Sequence, residues 1–432
     1  MSDEKNVLLI SHGITGVTGF ANQLWLQARA LIEDKKHKYN VYVIHRDYRG
    51  EPFSIPKDSG IKLNSGRSIE GLNILPVGNQ QWCEDVGPYY LEKYKIDYLH
   101  TLGDIWCYQY YPQVPKKRPW KWLGHYVFDT ENMVSFWNNS IKNADISVVP
   151  SKNSYELVKR YGHKNIQYVP HGIDTNTYKP CTYEEKLEFR ESIGLPKDGY
   201  IIGMVAHNQH RKKIYRLLVA FQKFLVKNPN AFLVMHTAPK DSTGWDLPLI
   251  ISDMGIKNHV LFTDKASKGF GDLHVPESEL RKLYCSMDIH ALSTGGEGFG
   301  VPIVEAMACG IPNVAPAYTT PKEFLCDVDP LDATKLVNER GIAVPYVDVD
   351  MHHTGGLWCI VDTNAMANAF QYLKDNQGEA SKMGMKARKF AVENYDNEIV
   401  KTQWQELYAN FDALSEAGED KDELFKLRTL RM

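Results

Sequence analysis

The arrangement of apolar residues constrains the fold of this chain more than any other feature. Short apolar runs, typical of strands buried on both faces, alternate with longer segments in which apolar residues recur at helical spacing. Residues 20–33 have such a helical pattern, and the strand-like runs of the first half lie at residues 7–11, 41–45, 98–101, 120–128, 146–150 and 167–170. Repeated strand–helix units of this kind predict an open parallel sheet with right-handed crossovers.

The same pattern begins again after Asp174. A polar helical stretch at residues 175–196 leads into new strand-like runs at residues 200–206, 232–236, 260–263, 289–292 and 313–315, with a helical pattern over 214–226. Since 432 residues are too many for one compact core, the chain is predicted to be α/β, with two Rossmann-like, doubly wound domains facing a cleft. In such sheets ligands bind beyond the carboxyl ends of the strands, so we expect the functional side chains on the loops that follow strands.

These patterns give four predicted segments. The N-terminal domain covers residues 1–174 and the C-terminal domain residues 175–397. A C-terminal helix over 398–415 is expected to pack back on the N-terminal domain, and residues 416–432 form a tail.

Charge and cysteine content exclude several classes of protein. The net charge is −3 with no basic excess, which argues against a nucleic-acid binder. The seven cysteines are odd in number and include no CxxC pair, so neither a disulfide framework nor a zinc knuckle is expected. Residues 1–13 do not read as a signal peptide, and no apolar run is long enough to span a bilayer. The sequence therefore predicts a cytoplasmic protein.

The most informative segment is EGFGVPIVEAMACGIP, which begins at Glu297. Pro302 suits the first turn of a helix, because its missing N–H would have been unpaired there, and the later glycine suits the C-terminal cap. Gly298, Phe299 and Gly300 then lie at the helix N-terminus. Free backbone amides and the positive end of the helix dipole bind anions there, and glycines let a phosphate approach the backbone closely. The glycines alone fit a well-capped buried helix equally well.

Two glutamates flank this predicted phosphate site. Glu297 precedes the helix and Glu305 lies about one turn inside it. Carboxylates beside a phosphate would repel it unless they bind something else, and as acceptor-only groups they suit pairs of sugar hydroxyls. A nucleotide sugar carries hydroxyls on both sides of its diphosphate, on the ribose and on the hexose. The segment as a whole therefore predicts a nucleotide-sugar site.

This segment resembles the donor-site signature of glycosyltransferase family 4, the retaining transferases of the GT-B fold. The signature is a glutamate, seven residues and a second glutamate, with Gly-Phe-Gly between them. The resemblance implies that Glu297 binds hydroxyls of the transferred sugar and Glu305 the ribose, while the amides of Phe299 and Gly300 bind the diphosphate. It also implies front-face attack with retention of configuration, with the leaving phosphate as base and with no metal or other cofactor.

A cationic segment, residues 206–213, follows the first predicted strand of the C-terminal domain. Family members usually carry an arginine here with a lysine five or six residues on, and both neutralise the diphosphate leaving group. The resemblance places Lys212 at the lysine and His207 at the arginine, with Arg211 as a helper. A histidine is only partly charged at neutral pH. A solvated helix start is the alternative reading, but cations there oppose the helix dipole, which favours a bound anion.

Two further candidates lie in the N-terminal half. The glycine-rich loop at residues 12–20 is similar to the one the family closes over the donor phosphates, and Gly19 best fits the glycine beside the diphosphate. A plain strand–helix turn is the alternative for this loop. Many family members place a histidine at the end of the strand at residues 122–128, and some related ones an aspartate. Asp129 holds that position and is expected near the sugar and acceptor, whereas His125 is expected to be a buried core histidine.

The predicted function is transfer of a sugar from a nucleoside-diphosphate sugar to a glycan, lipid or small-molecule acceptor. Glu297, Asp129 and Lys212 are the predicted catalytic residues. Two alternatives stay open: another GT-B activity, such as a phosphorylase or synthase, and a non-catalytic nucleotide-sugar- or glycan-binding subunit, which the histidine at 207 favours.

No metal is expected. The pairs Asp327/Asp329 and Asp348/Asp350 look like the metal-binding pairs of the other transferase fold, but they lie in predicted loops far from the donor motif. Peripheral membrane contact, the donor base and the oligomeric state stay open.

Overall fold

A computed structural model describes residues 4–416 of the chain, except 17, 64, 65, 164, 264–274, 330, 331 and 338. By contacts the chain divides into two compact units. The first unit comprises the described residues up to Phe128, residues 132–172 and those from Asn397 onward. The second unit comprises Asp129–Glu131 and Ile173–Asp396. The predicted tail at residues 416–432 lies outside the described residues apart from Glu416.

The regular elements follow the predicted alternation. The strands are β1 Lys5–Ile10, β2 Tyr39–His45, β3 Phe53–Ser54, β4 Leu72–Pro76, β5 Tyr98–Asp104, β6 Lys121–Val127, β7 Ile146–Val149, β8 Ile166–Tyr168, β9 Tyr200–Val205, β10 Ala231–His236, β11 Val260–Phe262, β12 Ile289–Ala291, β13 Asn313–Pro316, β14 Asp327–Asp329, β15 Asp332–Val337, β16 Gly341–Val344, β17 Tyr346–Met351 and β18 Leu357–Val361. The α-helices of the described residues are α1 Gly19–Ile32, α2 Gly87–Lys93, α3 Asn138–Asn143, α4 Lys152–Arg160, α5 Tyr183–Ser192, α6 Ile214–Leu225, α7 Leu247–Asp253, α8 Glu277–Ser286, α9 Val301–Ala308, α10 Thr320–Leu325, α11 Thr363–Asp375, α12 Gln377–Tyr395, α13 Asn397–Ala409 and α14 Phe411–Glu416.

The first unit is built on an eight-stranded sheet in the order β3-β4-β2-β1-β5-β6-β7-β8. All neighbouring strands are parallel except β3 and β4. Apolar side chains of the strands form two buried clusters that the helices cover. Helix α1 begins where Thr18 caps it, since the Thr18 hydroxyl accepts the N–H of Ala21.

The end of the described chain completes this first unit. Helix α13 packs on α1, and the Gln405 side chain donates to the backbone oxygen of Ala30 at 3.0 Å. Trp404 is buried in the apolar cluster around β1, and the Tyr408 hydroxyl lies 2.7 Å from Nδ1 of buried His100. The segment for which the sequence predicts one helix at residues 398–415 is two helices, α13 and α14.

The second unit has a six-stranded parallel sheet in the order β11-β10-β9-β12-β13-β16, over one large apolar core. The chain proceeds from β9 to β10 on one side of the sheet and later returns to β12 on the other side. The strand order therefore reverses between β9 and β12, and ligands of doubly wound sheets bind beyond the carboxyl ends of such strands. The loops at that point are residues 206–213 and 292–300. Both sheets confirm the predicted α/β, doubly wound fold.

Local chemistry shortens one predicted helix. The sequence predicts a helical stretch over 175–196, but α5 covers only Tyr183–Ser192. Before it, the Asp174 carboxylate accepts the N–H groups of Asn176 and Thr177, which gives a turn in place of a helix. Helix α5 then starts at a capping box between Thr182 and Glu185.

Two antiparallel hairpins, β14–β15 and β17–β18, replace predicted loops. The aspartate pairs 327/329 and 348/350 therefore lie on strands and not in loops. Around the second pair, Val347, Val349 and Met351 alternate with aspartates, which is the period of a strand. Among the described residues, no helix combines the length and apolarity needed to cross a membrane.

Candidate functional site

Hydrogen bonds of one buried side chain fix the loop after β9, which carries the cations Arg211 and Lys212. The buried Asn208 side chain donates to the backbone oxygens of Ala238 and Trp245, at 3.0 and 2.7 Å, and accepts the N–H of Trp245. A short turn, His210–Lys212, follows, and Lys213 has a left-handed backbone with φ +44° before α6 begins.

The loop after β12 is bonded directly to this turn. The Ser293 hydroxyl donates to the backbone oxygens of Lys212 and Lys213, and the N–H of Gly295 donates to the oxygen of Arg211 at 2.7 Å. These hydrogen bonds therefore fix the position of the two loops relative to each other.

Helix α9 has the predicted N-terminal geometry. Gly300 precedes it with φ +93°, a conformation that side chains disfavour, and Pro302 lies in the first turn. Among the described residues, the N–H groups of Gly298 and Gly300 donate no hydrogen bond. The Phe299 ring packs in the core, edge-on to Phe324 and Tyr395, and anchors this loop. The start of α9 thus presents amide donors with the positive end of the helix dipole.

Four charged side chains meet in front of this helix. Nζ of Lys212 lies 2.6 Å from Oε1 of Glu297, and Nη1 of Arg211 lies 3.2 Å from Oε2 of the same carboxylate. Arg211 also donates to the backbone oxygen of Gly296, and its Nε lies 3.0 Å from Oδ2 of Asp129. Lys212, Glu297 and Asp129 are all buried. We call these four residues, Asp129, Arg211, Lys212 and Glu297, the charged cluster.

Burial and neighbouring cations have opposite effects on the pKa values of the two carboxylates, Glu297 and Asp129. Burial by itself would raise the pKa of Glu297, but the adjacent Lys212 and Arg211 outweigh it and lower that pKa to about 2. Burial raises the pKa of Asp129 despite the opposing charge of Arg211. The structure thus gives the two carboxylates different proton affinities within one cluster, a pattern found at functional sites.

The structure brings together the three residues predicted to be catalytic, Glu297, Asp129 and Lys212. It also differs from the sequence analysis at one of them. The sequence assigns Asp129 to the N-terminal domain, whereas its contacts place it in the second unit with Thr130 and Glu131. The reason is local, because Arg211 pairs with Asp129 and Gly296 packs on its backbone oxygen so closely that a Cβ there would lie 1.9 Å away.

Glu305 lies inside α9, buried, and accepts the Tyr284 hydroxyl at 2.7 Å. This bond fixes the orientation of the carboxylate, and its binding to a ribose, which the resemblance implies, stays a prediction. Tyr284 carries no sequence signal, because it lies on α8, 21 residues before Glu305.

His207 and Gly19 each have local contacts of their own. The His207 ring is half-exposed and its Nε2 lies 3.1 Å from Oδ2 of Asp241. Its predicted contact with a diphosphate stays a prediction. Gly19 is the first residue of α1 and belongs to the first unit. His125 is buried in the first unit with Nδ1 3.0 Å from Nε2 of Gln27, as a core histidine would be.

Sequence reasoning missed a pair of threonines that hold the Glu297 backbone. The Thr319 hydroxyl accepts the N–H of Glu297 at 3.0 Å, and the Thr320 hydroxyl donates to the backbone oxygens of Glu297 and Gly298. Thr319 has φ +50°, an uncommon conformation for a β-branched residue. Thr319 precedes α10 without capping it through its side chain, so no local sequence signal indicates its contact with Glu297.

The described residues contain no group of three or more histidine, cysteine or carboxylate side chains that could hold a metal ion. Asp327 pairs with Arg340 at 2.9 Å and Asp350 pairs with Lys213 at 2.6 Å.

Comparison with known proteins identifies a family model and relatives that resemble this chain. Residues 185–339 match the family model described as glycosyl transferases group 1, so this part of the second unit is a glycosyltransferase group 1 domain. The chain is 23% identical over 283 residues to N-acetyl-alpha-D-glucosaminyl L-malate synthase of Bacillus anthracis, an alignment that covers 64% of this chain and 62% of that protein. The chain spans 42% of the length of the D-inositol 3-phosphate glycosyltransferase of Corynebacterium jeikeium and 36% of that of Thermobifida fusca, each at 28% identity.

Solved structures with GT-B architecture share the fold along nearly the whole chain. Sucrose-phosphate synthase from Thermosynechococcus elongatus superposes with a TM-score of 0.70 at 19% identity, covering 95% of this chain and 99% of that one. HepE of Anabaena, in a complex with UDP-glucose, superposes with a TM-score of 0.67 at 15% identity, covering 94% and 99%. The fold is therefore the α/β fold of GT-B glycosyltransferases, with two Rossmann-like domains.

Proposed function

We propose that this protein transfers a sugar from a nucleoside-diphosphate sugar to a hydroxyl-bearing acceptor. The observation that carries the proposal is the buried Glu297, which two cations hold ionised directly before Gly298 and Gly300, whose N–H groups donate no hydrogen bond among the described residues. Carboxylate acceptors suit sugar hydroxyls, and helix amides with nearby cations suit a diphosphate. Both lie at the strand-order reversal where doubly wound sheets bind ligands.

In the proposed complex the diphosphate binds the N–H groups of Phe299 and Gly300. Glu305, held by Tyr284, accepts hydroxyls of the ribose, and Glu297 accepts hydroxyls of the sugar to be transferred. Lys212 bridges from Glu297 to the diphosphate, because an ammonium group has three donors and the ion pair uses one of them. The UDP-glucose complex of HepE, which has a similar fold, supports a nucleotide sugar as the ligand of this unit.

Glycosyl transfer builds positive charge on the sugar and negative charge on the departing diphosphate. Preorganised amides and a lysine stabilise the departing charge, a contribution that is worth about 2.7–4 kcal/mol for one oxyanion donor elsewhere. We propose that the acceptor attacks on the face from which the diphosphate leaves, with retention of configuration, and that Asp129 lies beside the sugar and acceptor. Lys212 and the helix amides replace a metal ion in this scheme, as the resemblance to the retaining GT-B transferases implies.

Calorimetry with UDP, GDP, ADP and UDP-glucose tests the proposal. We expect one of the nucleotides to bind with micromolar affinity, and Gly300→Ala to weaken that binding at least tenfold. The matched control is Gly194→Ala, since Gly194 has a similar φ of +79° and open space around its Cβ position. Both variants introduce the same kind of backbone strain, but only Gly300 lies at the proposed diphosphate site. We therefore expect only Gly300→Ala to lose affinity. The proposal fails if none of these ligands binds, or if both variants bind equally well.

A further inference from the structure

The β17–β18 hairpin lies against the charged cluster and is not part of the predicted donor site. Its two strands, Tyr346–Met351 and Leu357–Val361, enclose a turn with the sequence His352-His353-Thr354-Gly355-Gly356. The hairpin belongs to the second unit, like the cluster. We asked what holds it there and which side chain it brings to the cluster.

Backbone hydrogen bonds join the hairpin to the segments that carry the cluster. The N–H of Cys359 donates to the backbone oxygen of Gly295 at 2.8 Å, and the N–H of Leu357 donates to the Thr130 hydroxyl at 3.0 Å. On the first strand, Asp350 pairs with Lys213. These bonds fix the hairpin to the loop before Glu297 and to the residue after Asp129.

Trp358 lies between these two attachment points. It is buried, and a Cβ at Gly295 would lie only 2.8 Å from the Cβ of Trp358, so the hairpin approaches this loop more closely than any side chain at 295 would allow. Burial raises the pKa of Asp129, while Arg211 and a hydrogen bond from the Trp358 side chain, whose one donor is the indole N–H, lower it. His352 stacks on the Trp358 ring at 3.9 Å between centroids, which restricts the rotation of the indole.

Asp129 therefore has two donors that come from different elements. Arg211, after β9, contacts Oδ2, and Trp358, on β18, supplies a neutral N–H. Glu297 and Lys212 are the other charged groups that face it. A neutral donor orients the carboxylate without forming a second ion pair, so the carboxylate keeps capacity to accept a hydrogen bond from a sugar or acceptor hydroxyl.

We propose that Trp358, held by the β17–β18 hairpin, is a positioning residue that orients the Asp129 carboxylate toward the sugar and acceptor. The inference rests on the proposed function, because it assigns Asp129 a role in transfer. The hairpin then acts as a specificity element of the second unit, since its turn packs on neighbours of that carboxylate: His352 stacks on Trp358, and a Cβ at Gly356 would lie 3.5 Å from the Thr130 side chain.

A thermal double-mutant cycle tests the contact without any substrate. The variants are Trp358→Phe, which keeps an aromatic ring but removes the N–H, Asp129→Ala, and the double variant. We expect the fall in Tm of the double variant to be smaller than the two single falls combined, because each single variant already breaks the same bond. Additive falls in Tm would overturn the contact and the proposal.

Kinetics test the positioning role. The readout is hydrolysis or transfer of the donor that the calorimetry identifies. Trp358→Phe should lower kcat about tenfold and leave the donor KM within twofold. It should also move the acid limb of the kcat profile to higher pH, because the lost hydrogen bond had lowered the pKa of Asp129. The control is Trp137→Phe, since the buried Trp137 N–H has no acceptor among the described residues. A Trp358→Phe profile equal to that of the control overturns the positioning role.

The two experiments separate this inference from the proposed function. A wild-type protein that turns over no donor refutes the proposed function and the positioning role with it. The thermal cycle still decides in that case whether Trp358 holds Asp129. If the thermal cycle shows coupling but the kcat profile of Trp358→Phe equals that of the control, only the positioning role is refuted.

Discussion

Removing Lys212 tests the charged cluster most directly, because one substitution changes the stability of the second unit and the predicted chemistry together. In Lys212→Ala the Glu297 carboxylate stays buried and, among the described residues, keeps Arg211 as its remaining charged partner. Breaking a buried ion pair by removing one partner costs about 3–5 kcal/mol, since it leaves a charge without compensation. The remaining contact with Arg211 places the expected loss at the lower end of this range.

The shift in the pKa of Glu297 gives a second measure of the folding free energy that its cationic neighbours contribute. Lowering that pKa from 4.5 to about 2 is equivalent to about 3 kcal/mol of folding free energy, at about 1.4 kcal/mol for each pKa unit. This value covers the effects of Lys212 and Arg211 together, so it is of the same order as the about 3 kcal/mol expected for Lys212→Ala at neutral pH. Turnover should fall by roughly two to three orders of magnitude, as when one oxyanion donor is removed.

The sign of the pH dependence follows from the direction of the shift. A carboxylate whose pKa is lower in the folded protein stabilises the fold above its unfolded pKa and loses that contribution as the pH falls through the folded value. For Glu297 this window runs from about 4.5 down to about 2. The difference in stability between wild type and Lys212→Ala should therefore be largest at neutral pH and shrink below pH 4.5.

Denaturant unfolding between pH 3 and 8, with the Tm as a second measure, checks these expectations. The control is Lys382→Ala, which removes an exposed lysine paired with Glu379 three residues away. Such surface pairs contribute about 0–1 kcal/mol. The reasoning is refuted if Lys212→Ala is no less stable than Lys382→Ala, or if the difference between Lys212→Ala and wild type does not depend on pH.

Three further predictions follow from the same contacts. Glu305→Ala should weaken nucleotide binding in calorimetry at least tenfold with a small effect on kcat, whereas Glu297→Ala should lower kcat with a small effect on nucleotide binding; equal effects would contradict the two roles. His207→Ala should change kcat less than threefold, because the ring is half-exposed and pairs with Asp241; a larger loss would show that this histidine reaches the donor. Turnover should persist in EDTA, and a loss that manganese or magnesium restores would indicate a metal-dependent mechanism.

Much of the fold could be predicted because its strands are buried on both faces. Val41–Ile44 or Ile201–Val205 are continuous apolar runs, and such runs identify the strands of a parallel sheet without any tertiary information. Antiparallel hairpins gave a weaker signal. In β17 the alternation of valines with aspartates was present, but all six residues are exposed, so no burial requirement distinguished that strand from a loop.

The site was predictable where its chemistry is local in sequence. Gly298–Pro302 predicted the start of α9, since caps and positive φ depend on neighbouring residues. Partners that tertiary structure brings together were not predictable. Tyr284 reaches Glu305 from α8, Thr319 reaches Glu297 from the loop before α10, and Trp358 reaches Asp129 from β18. None of these contacts follows from the spacing of the residues along the chain.

The interleaving of the two units has a consequence for biosynthesis. The apolar cluster around β1 includes Trp404, Tyr408 and Phe411, so the unit that begins first along the chain requires residues synthesised about 400 positions later. During translation the second unit can complete its sheet while the α1 face of the first still exposes apolar surface. Contacts of such high sequence separation form late, and an uncovered face of this kind favours aggregation or chaperone binding. Termination before Asn397 should therefore damage the N-terminal unit more than the C-terminal one, although the lost residues are at the opposite end of the chain.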